Sequence, residues 1–356
     1  MGKKNTISFL GDISLNDKYN ELYQNGEKPF DEVKELLFNS GFVVGNLECM
    51  AKGDKGENLL KKPRLNTNLE TLNYLNDFNL GLALLAHNHV YDNLEDGFLK
   101  TITFLQENNI AYIGAGLSQA EAEVPFMREI GNQKICILNY VTEDTNPNLP
   151  EDATVYLNWF KVEKVIAEIK KYKKQVDKVI LCLHWGGRCE GGYYPDWDQP
   201  KIAKRLINAG VDLIVGGHSH TLQPFEIYKT KHIFYSLGNF CFADIYCDGK
   251  HLELEKGKRT ESALLNVRLE DDFFKTLIGI ENNNLHVCQN NIVVEKWNNR
   301  NNLFKVVTSN KLVWKLYYLK FKKIDPIVVF LFGNGRNPFK QLLKLNIKKA
   351  INHLLK

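Results

Sequence analysis

Short apolar segments recur along the first 285 or so residues of the chain, separated by longer stretches with apolar residues at helical spacing. The apolar segments predict β-strands at residues 7–10, 42–45, 80–86, 134–140, 179–183, 213–216 and 233–236. These segments are apolar throughout instead of alternating with polar residues, which indicates that both faces of the sheet are covered.

The stretches between the strands predict helices at residues 30–39, 67–77, 94–108, 158–173 and 199–209. Strands that alternate with helices indicate a layered α/β domain. The alternation continues to about residue 289 and is lost afterwards. We therefore predict an α/β domain at residues 1–289 and a basic, mainly helical C-terminal appendage at residues 290–356.

The predicted appendage differs from the rest of the chain in charge. Of the 46 Lys and Arg residues, 14 lie between Lys296 and Lys356, where Asp325 is the one acidic residue. The rest is acidic, although the whole chain carries a formal net charge of only +4. Lysines alternate with aromatic residues around Trp314, and apolar residues recur at near-helical spacing over residues 339–355.

Two interpretations of this basic segment stay open. It could attach to an anionic membrane surface or an anionic polymer, or it could pack against the acidic domain with its lysines in solvent. Nucleic acid binding has little support beyond the charge itself.

Composition is that of an ordinary globular protein, with 44% hydrophobic and 25% charged residues. No apolar secretory segment follows the N-terminal residues, and no apolar run approaches the roughly 18 residues of a membrane-spanning helix. Seven cysteines without a CxxC pair are typical of free thiols in a reducing compartment. We expect a cytoplasmic protein, with the appendage as the candidate for peripheral contact with the inner membrane surface.

Side chains of metal-binding types follow five of the predicted strands, where the sheet of an open α/β fold binds its ligands. They are Asp12, Glu48, Asn88 with His87 and His89, His184, and His218 with His220. Each of them alone is more typical of a turn, a helix cap or a hydrogen-bonded core residue. Their joint occurrence at one edge of the sheet predicts a functional site.

These donors are carboxylate, amide and imidazole groups, with no thiolate among them. Such a set suits Mn²⁺, Fe or Zn²⁺ rather than a structural cysteine zinc site. With one bridging carboxylate it could hold two ions about 3.5–4 Å apart, an arrangement used for in-line displacement at phosphorus. The sequence has no GxxxxGK(S/T), GxGxxG or GxSxG pattern, which argues against a nucleotide-binding loop or a serine hydrolase.

Six motifs resemble, in order, those of the CapA family of capsule and poly-gamma-glutamate synthesis proteins, which belongs to the calcineurin-like metallophosphoesterases. The motifs are Gly11-Asp12, Asn46-Leu47-Glu48, Asn88-His89 with Asp92, His184-Trp185-Gly186, Gly217-His218 with His220, and Ser236-Leu237-Gly238-Asn239-Phe240. The resemblance covers residues 7 to about 242 and implies a layered α/β/β/α sandwich.

The resemblance also implies roles for the metal-type donors. Glu48 stands at the position of the bridging carboxylate. Asp12 and His220 would complete one metal site. The other site would be completed by Asn88, His184 and His218.

Within the same resemblance, His89 would be the acid that protonates the leaving group, with Asp92 orienting it, and Asn239 would line the rim. Two positions depart from the family. Ser14 stands where the wider superfamily has a histidine, so the site of Asp12 lacks one donor. His87 replaces the usual asparagine, and we expect a loop residue there, with a spare imidazole near the site as the alternative.

The leading hypothesis is a metal-dependent phosphoester hydrolase, a phosphatase or phosphodiesterase, in which metal-activated water attacks phosphorus during capsule or exopolymer synthesis. Its partner would be an anionic phosphoester or a polymer intermediate. Arg188, in the loop after His184, would suit such an anion, although an exposed loop arginine is the simpler interpretation. The alternative function is a non-hydrolytic polymer-assembly or binding factor that retains the fold.

Overall fold

The computed structural model describes residues 5–269, 275–325 and 327–328. The chain divides into two compact units, Met1–Asn301 and Asn302–Lys356. In the described residues, the strands are β1 (Thr6–Ile13), β2 (Phe42–Leu47), β3 (Leu80–Leu84), β4 (Ala111–Ile113), β5 (Ala115–Gly116), β6 (Phe126–Ile130), β7 (Gln133–Val141), β8 (Tyr156–Leu157), β9 (Lys178–His184), β10 (Leu213–Gly217), β11 (Phe225–Tyr228), β12 (Lys231–Phe234), β13 (Asn239–Cys241), β14 (Ile245–Cys247), β15 (Lys250–Leu252), β16 (Glu261–Arg268), β17 (Lys275–Asn283) and β18 (His286–Gln289). The helices are α1 (Lys18–Gln24), α2 (Asp31–Phe38), α3 (Tyr74–Asp77), α4 (Leu94–Glu107), α5 (Gln119–Ala122), α6 (Val162–Tyr172), α7 (Gln199–Ala209), α8 (Asn291–Val307) and α9 (Lys311–Leu319).

Two mixed sheets form the centre of the first unit. Sheet 1 has the strand order β18-β17-β16-β1-β2-β3-β4, with β13 also paired to β1. Sheet 2 has the order β11-β12-β10-β9-β7-β6. The strands from β1 to β4 are parallel in sheet 1, as are β7, β9, β10 and β12 in sheet 2. Their carboxyl ends therefore meet along common edges.

The two sheets pack face to face. Phe9 and Val44 of sheet 1 lie in one buried apolar cluster with Ile180 and Val215 of sheet 2. The strand residues that point to the other face of sheet 1 pack with helices α2 and α4 in a second buried apolar cluster. On the outer side of sheet 2, Tyr140 of β7 donates a hydrogen bond to Glu168 of α6. The layered α/β/β/α sandwich predicted from the sequence is confirmed.

All seven predicted strands are present, with ends that differ by a few residues. The predicted helix at residues 67–77 is instead a 3₁₀ turn, Leu69–Asn73, followed by the short α3. The hydroxyl of Thr67 donates to the carbonyl of Leu15 at 2.7 Å, so this side chain ties the segment to the residues that follow β1.

Strands β16 and β17 were not predicted. They extend sheet 1 beyond β1 by antiparallel pairing. Buried polar residues such as Glu261 and Asn282 interrupt their apolar pattern. These residues are accommodated by partners distant in sequence: Asn282 donates to the carbonyl of Phe242, and Arg300 donates to Glu261.

Helix α8 packs on the sandwich through its first eleven residues. Trp297 is fully buried, contacts the rings of Phe225 and Phe234, and donates its indole N–H to the carbonyl of Gln223 at 2.7 Å. Asn291–Asn301 thus belong to the first unit. The predicted domain boundary after residue 289 stays a prediction. The division into two compact units falls after Asn301.

The second unit contains the end of α8, α9 and a π-helical turn at Lys320–Ile324. The side chain of Asn310 caps α9 by accepting from the backbone N–H groups of Leu312 and Val313. The predicted helical character is confirmed for this part, whereas the apolar run at residues 339–355 lies outside the described residues. Within the described ranges, no helix is both long and apolar enough to cross a membrane.

Candidate metal centre

The register of the strands brings the predicted donors together at one edge of the sandwich. Asp12 on β1 stands beside Asn46 on β2 and Asn239 on β13, and His184 on β9 stands beside Gly217 on β10. A Cβ atom on Gly217 would lie 2.6 Å from Asp12 Oδ1. Glycine at this position therefore permits the close approach of the two sheets at the site.

Glu48 is the centre of the cluster. Its Oε1 atom lies 3.6 Å from His220 Nε2, 3.7 Å from His184 Nε2 and 4.0 Å from His89 Nε2. The side chain is fully buried, and neither carboxylate oxygen has a hydrogen-bond partner among the described residues.

One group of donors lies on the side of β9 and β10. His184 Nε2 is 2.8 Å from Asn88 Oδ1 and 3.0 Å from His218 Nδ1. Donor atoms of Glu48, His184 and His218 all lie within 4.8 Å of one another, which is close enough to share one metal ion. His218 Nε2 has no hydrogen-bond partner in the described chain.

A second group lies on the side of β1 and β13. Asp12, Glu48 and His220 also place their donor atoms within 4.8 Å of one another. Asp12 accepts hydrogen bonds from Asn46 at 2.9 Å and from the backbone N–H of His218 at 3.1 Å. His220 Nδ1 is 2.9 Å from Asn239 Oδ1, a contact that turns Nε2 toward Glu48.

The loop that carries His218 and His220 has an unusual backbone. The φ angles of these two residues are 85° and 56°, in the left-handed region that non-glycine residues seldom adopt. Such conformations cost on the order of 1–3 kcal/mol each and occur mostly at functional sites. The loop thus holds both imidazoles toward the cluster at the expense of backbone strain.

Electrostatics of the cluster favour a bound cation. Burial lowers the pKa of His184 and of His220, and lowers that of His218 to about 3, so these imidazoles are neutral, as metal ligation requires. Burial, followed by the charge of Asp12, raises the pKa of Glu48 well above its ordinary value. A buried carboxylate without a partner is costly, and a divalent ion at the donors would compensate it. The residues present therefore fit a divalent metal.

His89 and Asp92 form a pair next to these donors. His89 Nδ1 lies 2.6 Å from Asp92 Oδ2, which also accepts the backbone N–H of Leu65 at 2.7 Å. The pair fixes the ring so that the other nitrogen, Nε2, points to Glu48. This geometry leaves His89 Nε2 as the atom that can exchange a proton with a group bound at the centre.

Comparison with known proteins assigns the family. Residues 6–244, more than half of the chain, match the family described as "Bacterial capsule synthesis protein PGA_cap". The chain belongs to this family. The PGA_cap match contains every donor named above and ends before β16 and α8.

Two curated relatives carry names that refer to capsule polymers. PGA biosynthesis protein CapA of Bacillus subtilis (strain 168) is 30% identical over 251 residues, covering 67% of this chain and 63% of the relative. Capsule biosynthesis protein CapA of Bacillus anthracis is 29% identical over 255 residues, covering 67% and 60%. The chain thus spans less than two thirds of the length of either relative. Among solved structures, a hypothetical protein from Thermus thermophilus aligns with 78% of this chain and 99% of its own, at 10% identity and a TM-score of 0.49.

Three sequence positions singled out as departures or alternatives have defined places in this PGA_cap chain. Ser14 donates its hydroxyl to Asn16 Oδ1 at 2.8 Å. His87 lies in the loop between β3 and α4, as predicted, and is fully buried there, with its ring centre 6.0 Å from that of His184. Arg188, predicted as an exposed loop arginine, is half exposed and pairs with Asp196 and Asp198.

Sequence reasoning missed two residues of the site. Asn46 connects the two groups of donors, since its amide donates to Asp12 and lies 3.3 Å from His184 Nδ1. The signal was its place in the motif Asn46-Leu47-Glu48, two residues before Glu48. Lys61 is 4% exposed and lies between Asn58 and Leu65, which both donate backbone hydrogen bonds to Asp92. No sequence signal distinguished it from its neighbour Lys62.

Proposed function

We propose that this chain is a divalent-metal-dependent phosphoester hydrolase that acts in the synthesis of a capsule or a related cell-surface polymer. The observation that carries the proposal is Glu48, a buried carboxylate that lies among metal-type donors and has no hydrogen-bond partner in the described part of the chain. The polymer context is drawn from the names of the two Bacillus relatives, which refer to PGA biosynthesis and capsule biosynthesis.

The donors divide into two sets that share Glu48. One ion would be held by Glu48, Asn88, His184 and His218, and a second by Asp12, Glu48 and His220. Bound divalent ions supply an activated water and neutralise the charge that develops on the phosphoryl oxygens. Carboxylate, amide and imidazole donors suit Mn²⁺ in particular, with Fe or Zn²⁺ as alternatives.

Residues of the chain supply the orientation and the proton. Asn46 and Asn239 hold Asp12 and His220 by hydrogen bonds, so the donor atoms are in place before a ligand arrives. His89, oriented by Asp92, would donate a proton to the leaving oxygen of an anionic phosphoester. Burial of the surrounding residues excludes bulk water and strengthens each of these interactions.

The experiment is a metal-dependent activity assay. Protein stripped of metal is titrated with Mn²⁺, and the hydrolysis of an aryl phosphodiester and an aryl phosphomonoester is followed. We expect turnover that depends on Mn²⁺ in the wild type and is lost in Glu48→Gln. Glu163→Gln is the matched control, because Glu163 is an exposed carboxylate that pairs with Arg205 on the surface. This variant should keep full activity.

Two outcomes would contradict the proposal. Activity without added metal in stripped protein would exclude a metal-dependent reaction. Wild-type protein that binds Mn²⁺ but hydrolyses neither ester would favour the alternative, a non-hydrolytic assembly or binding factor that retains the fold.

A further inference from the structure

Lys61 is a lysine of the first unit with an unusual environment. It lies in the connection between β2 and the turn Leu69–Asn73, and only 4% of its surface is exposed. Its ammonium group donates to the carbonyl of Asn146 at 2.8 Å. No carboxylate of the described chain forms an ion pair with it, whereas the adjacent Lys62 is exposed and pairs with Asp248 at 2.7 Å.

Lys61 lies in a segment that borders the pair of His89 and Asp92. Burial lowers the pKa of Lys61, and the carboxylates of Asp92, Glu190 and Glu48 oppose this effect. Burial lowers the pKa of His89 and of His218, and the charge of Lys61 adds to this effect.

Backbone hydrogen bonds place the segment next to the centre, because the N–H groups of Asn58 and Leu65 donate to the carbonyl and the carboxylate of Asp92 at 2.9 and 2.7 Å. The carbonyl that accepts from Lys61 comes shortly after Thr142, whose backbone N–H donates to the carbonyl of His184 at 3.0 Å.

The backbone of Lys61 is held in place by its surroundings. Arg64, itself 5% exposed, donates to the carbonyl of Lys61 at 3.0 Å and pairs with Glu57 at 2.8 Å. Asn58 donates to the carbonyl of Asn148 at 3.0 Å, close in sequence to the residue that accepts from Lys61. The lysine is thus fixed before any ligand binds, which reduces the entropy that is lost when it binds a ligand.

A purely structural role does not account for this arrangement. A buried ammonium group with a single carbonyl acceptor has two N–H donors left, and burying a charge without an ion pair costs several kcal/mol. An apolar side chain of similar length would fill the same space without that cost. The arrangement is useful where an anion arrives at the metal centre and accepts the remaining hydrogen bonds.

We propose that Lys61 binds a non-bridging phosphoryl oxygen of the substrate at the metal centre and so selects for a negatively charged phosphate ester. This inference rests on the proposed function. Lys61 would act as a binding residue rather than as a metal ligand, on the side of the centre that carries His89 and Asp92, to which its segment is hydrogen-bonded.

The test uses inorganic phosphate as the probe and the full-length, Mn²⁺-loaded protein. The dissociation constant of phosphate is measured by calorimetry for the wild type, Lys61→Met and the control Lys62→Met. Hydrogen bonds to charged groups contribute about 1.5–3 kcal/mol, so we expect Lys61→Met to weaken phosphate binding roughly 10- to 150-fold. The Mn²⁺ content should be unchanged, and Lys62→Met should bind phosphate as the wild type does.

A second measurement separates binding from folding. If Lys61 only supports the fold, Lys61→Met should lower the melting temperature and leave the phosphate affinity of the folded fraction unchanged. That result would overturn the inference, as would a wild-type protein that binds Mn²⁺ but no phosphate. Lys61→Arg, which keeps the charge, should recover part of the lost affinity. Failure of the wild type to bind Mn²⁺ at all would instead contradict the proposed function.

Discussion

The imidazole of His89 has two different environments at its two nitrogens. Nδ1 is held by Asp92 at 2.6 Å, and Nε2 faces Glu48 across 4.0 Å. A ring that is oriented by a carboxylate on one side and open toward the reacting group on the other is suited to proton transfer. The groups of donor atoms that lie within 4.8 Å of one another include His184, His218 and His220, but not His89.

This difference predicts the behaviour of His89→Ala. The variant should bind Mn²⁺ as tightly as the wild type and lose turnover by about 10²- to 10⁴-fold, the usual contribution of a general acid. The loss should be large for an alkoxide leaving group and small for nitrophenolate, which departs without a proton. Steady-state rates for the two esters and metal analysis of the same samples give the answer.

The control for this variant is His286→Ala, because His286 is half exposed and lies far along the chain on β18. It should leave turnover unchanged. An equal loss of turnover for good and poor leaving groups in His89→Ala would show that His89 does not donate the proton.

The donors could be predicted from sequence because each of them closely follows an apolar strand, and parallel strands end at a common edge. The supporting contacts could not. Asn239 was expected to line the rim, but its side chain holds His220 and donates to the carbonyl of Arg259 at 2.9 Å. Such contacts depend on side chains that the fold brings together from distant positions, and no local pattern encodes them.

Among the elements, α8 has a direct connection to the loop that carries His218 and His220. Trp297 donates to the carbonyl of Gln223, and Arg300 donates to that of Leu222 at 3.2 Å, just after this loop. Arg300 and Lys296 both pair with Glu261 of β16, which is 1% exposed. The helix thus supports the backbone that follows the histidines, although it lies beyond the PGA_cap match.

We expect a chain that ends at Asn301 to fold, and a chain that ends at Gln289 to be much less stable. The shorter chain loses Trp297, and removal of a buried tryptophan side chain costs about 3–5 kcal/mol. Thermal melts of the two truncated chains test this directly.

Single substitutions provide the matched comparison. Trp297→Ala should lower the free energy of unfolding by the same few kcal/mol, whereas Ile292→Ala, on an exposed position of the same helix, should change it by about 0.5 kcal/mol or less. If the chain ending at Gln289 melts at the same temperature as the one ending at Asn301, α8 does not support the first unit.

The sequence predicted the strands of the parallel core because their residues are apolar on both faces. It did not predict β16 and β17, in which Glu261 and Asn282 are buried and polar. The lysines of α8 resemble those of the segment that follows, although the start of this helix lies in the first compact unit. Local sequence patterns do not predict the pairing of strands whose buried positions are polar. Nor do they separate neighbouring segments that have a similar composition.

The C-terminal part of the chain is basic, whereas the part before it is acidic. The described part of the second unit has a helix, α9, on which Leu312 and Leu316 are 67% and 59% exposed and lysines lie at positions 311 and 315. Exposed leucines together with lysines are typical of helices that lie on anionic membrane surfaces. Packing of the basic segment against the acidic part of the chain is the other interpretation.

We therefore predict that the full chain binds vesicles containing anionic lipid, and that a chain ending at Asn301 does not. Each lysine near such a surface contributes on the order of 1 kcal/mol, so binding should weaken as the salt concentration rises through physiological strength. Vesicle sedimentation of both chains, with neutral vesicles as the control, measures this. If the full chain ignores anionic vesicles at low salt, the membrane interpretation is wrong, and a lower melting temperature of the truncated chain would favour packing.

Anomalous diffraction from crystals grown at increasing Mn²⁺ concentrations shows whether a metal centre is built around Glu48. We predict a peak among Glu48, Asn88, His184 and His218 at the lowest concentration, because this set offers four donors. A second peak, about 3.5–4 Å away at Asp12, Glu48 and His220, should appear only at higher concentration, because it has three. Two peaks of equal occupancy throughout would contradict this order of filling. The absence of any peak at Glu48 under saturating Mn²⁺ would contradict the metal centre itself.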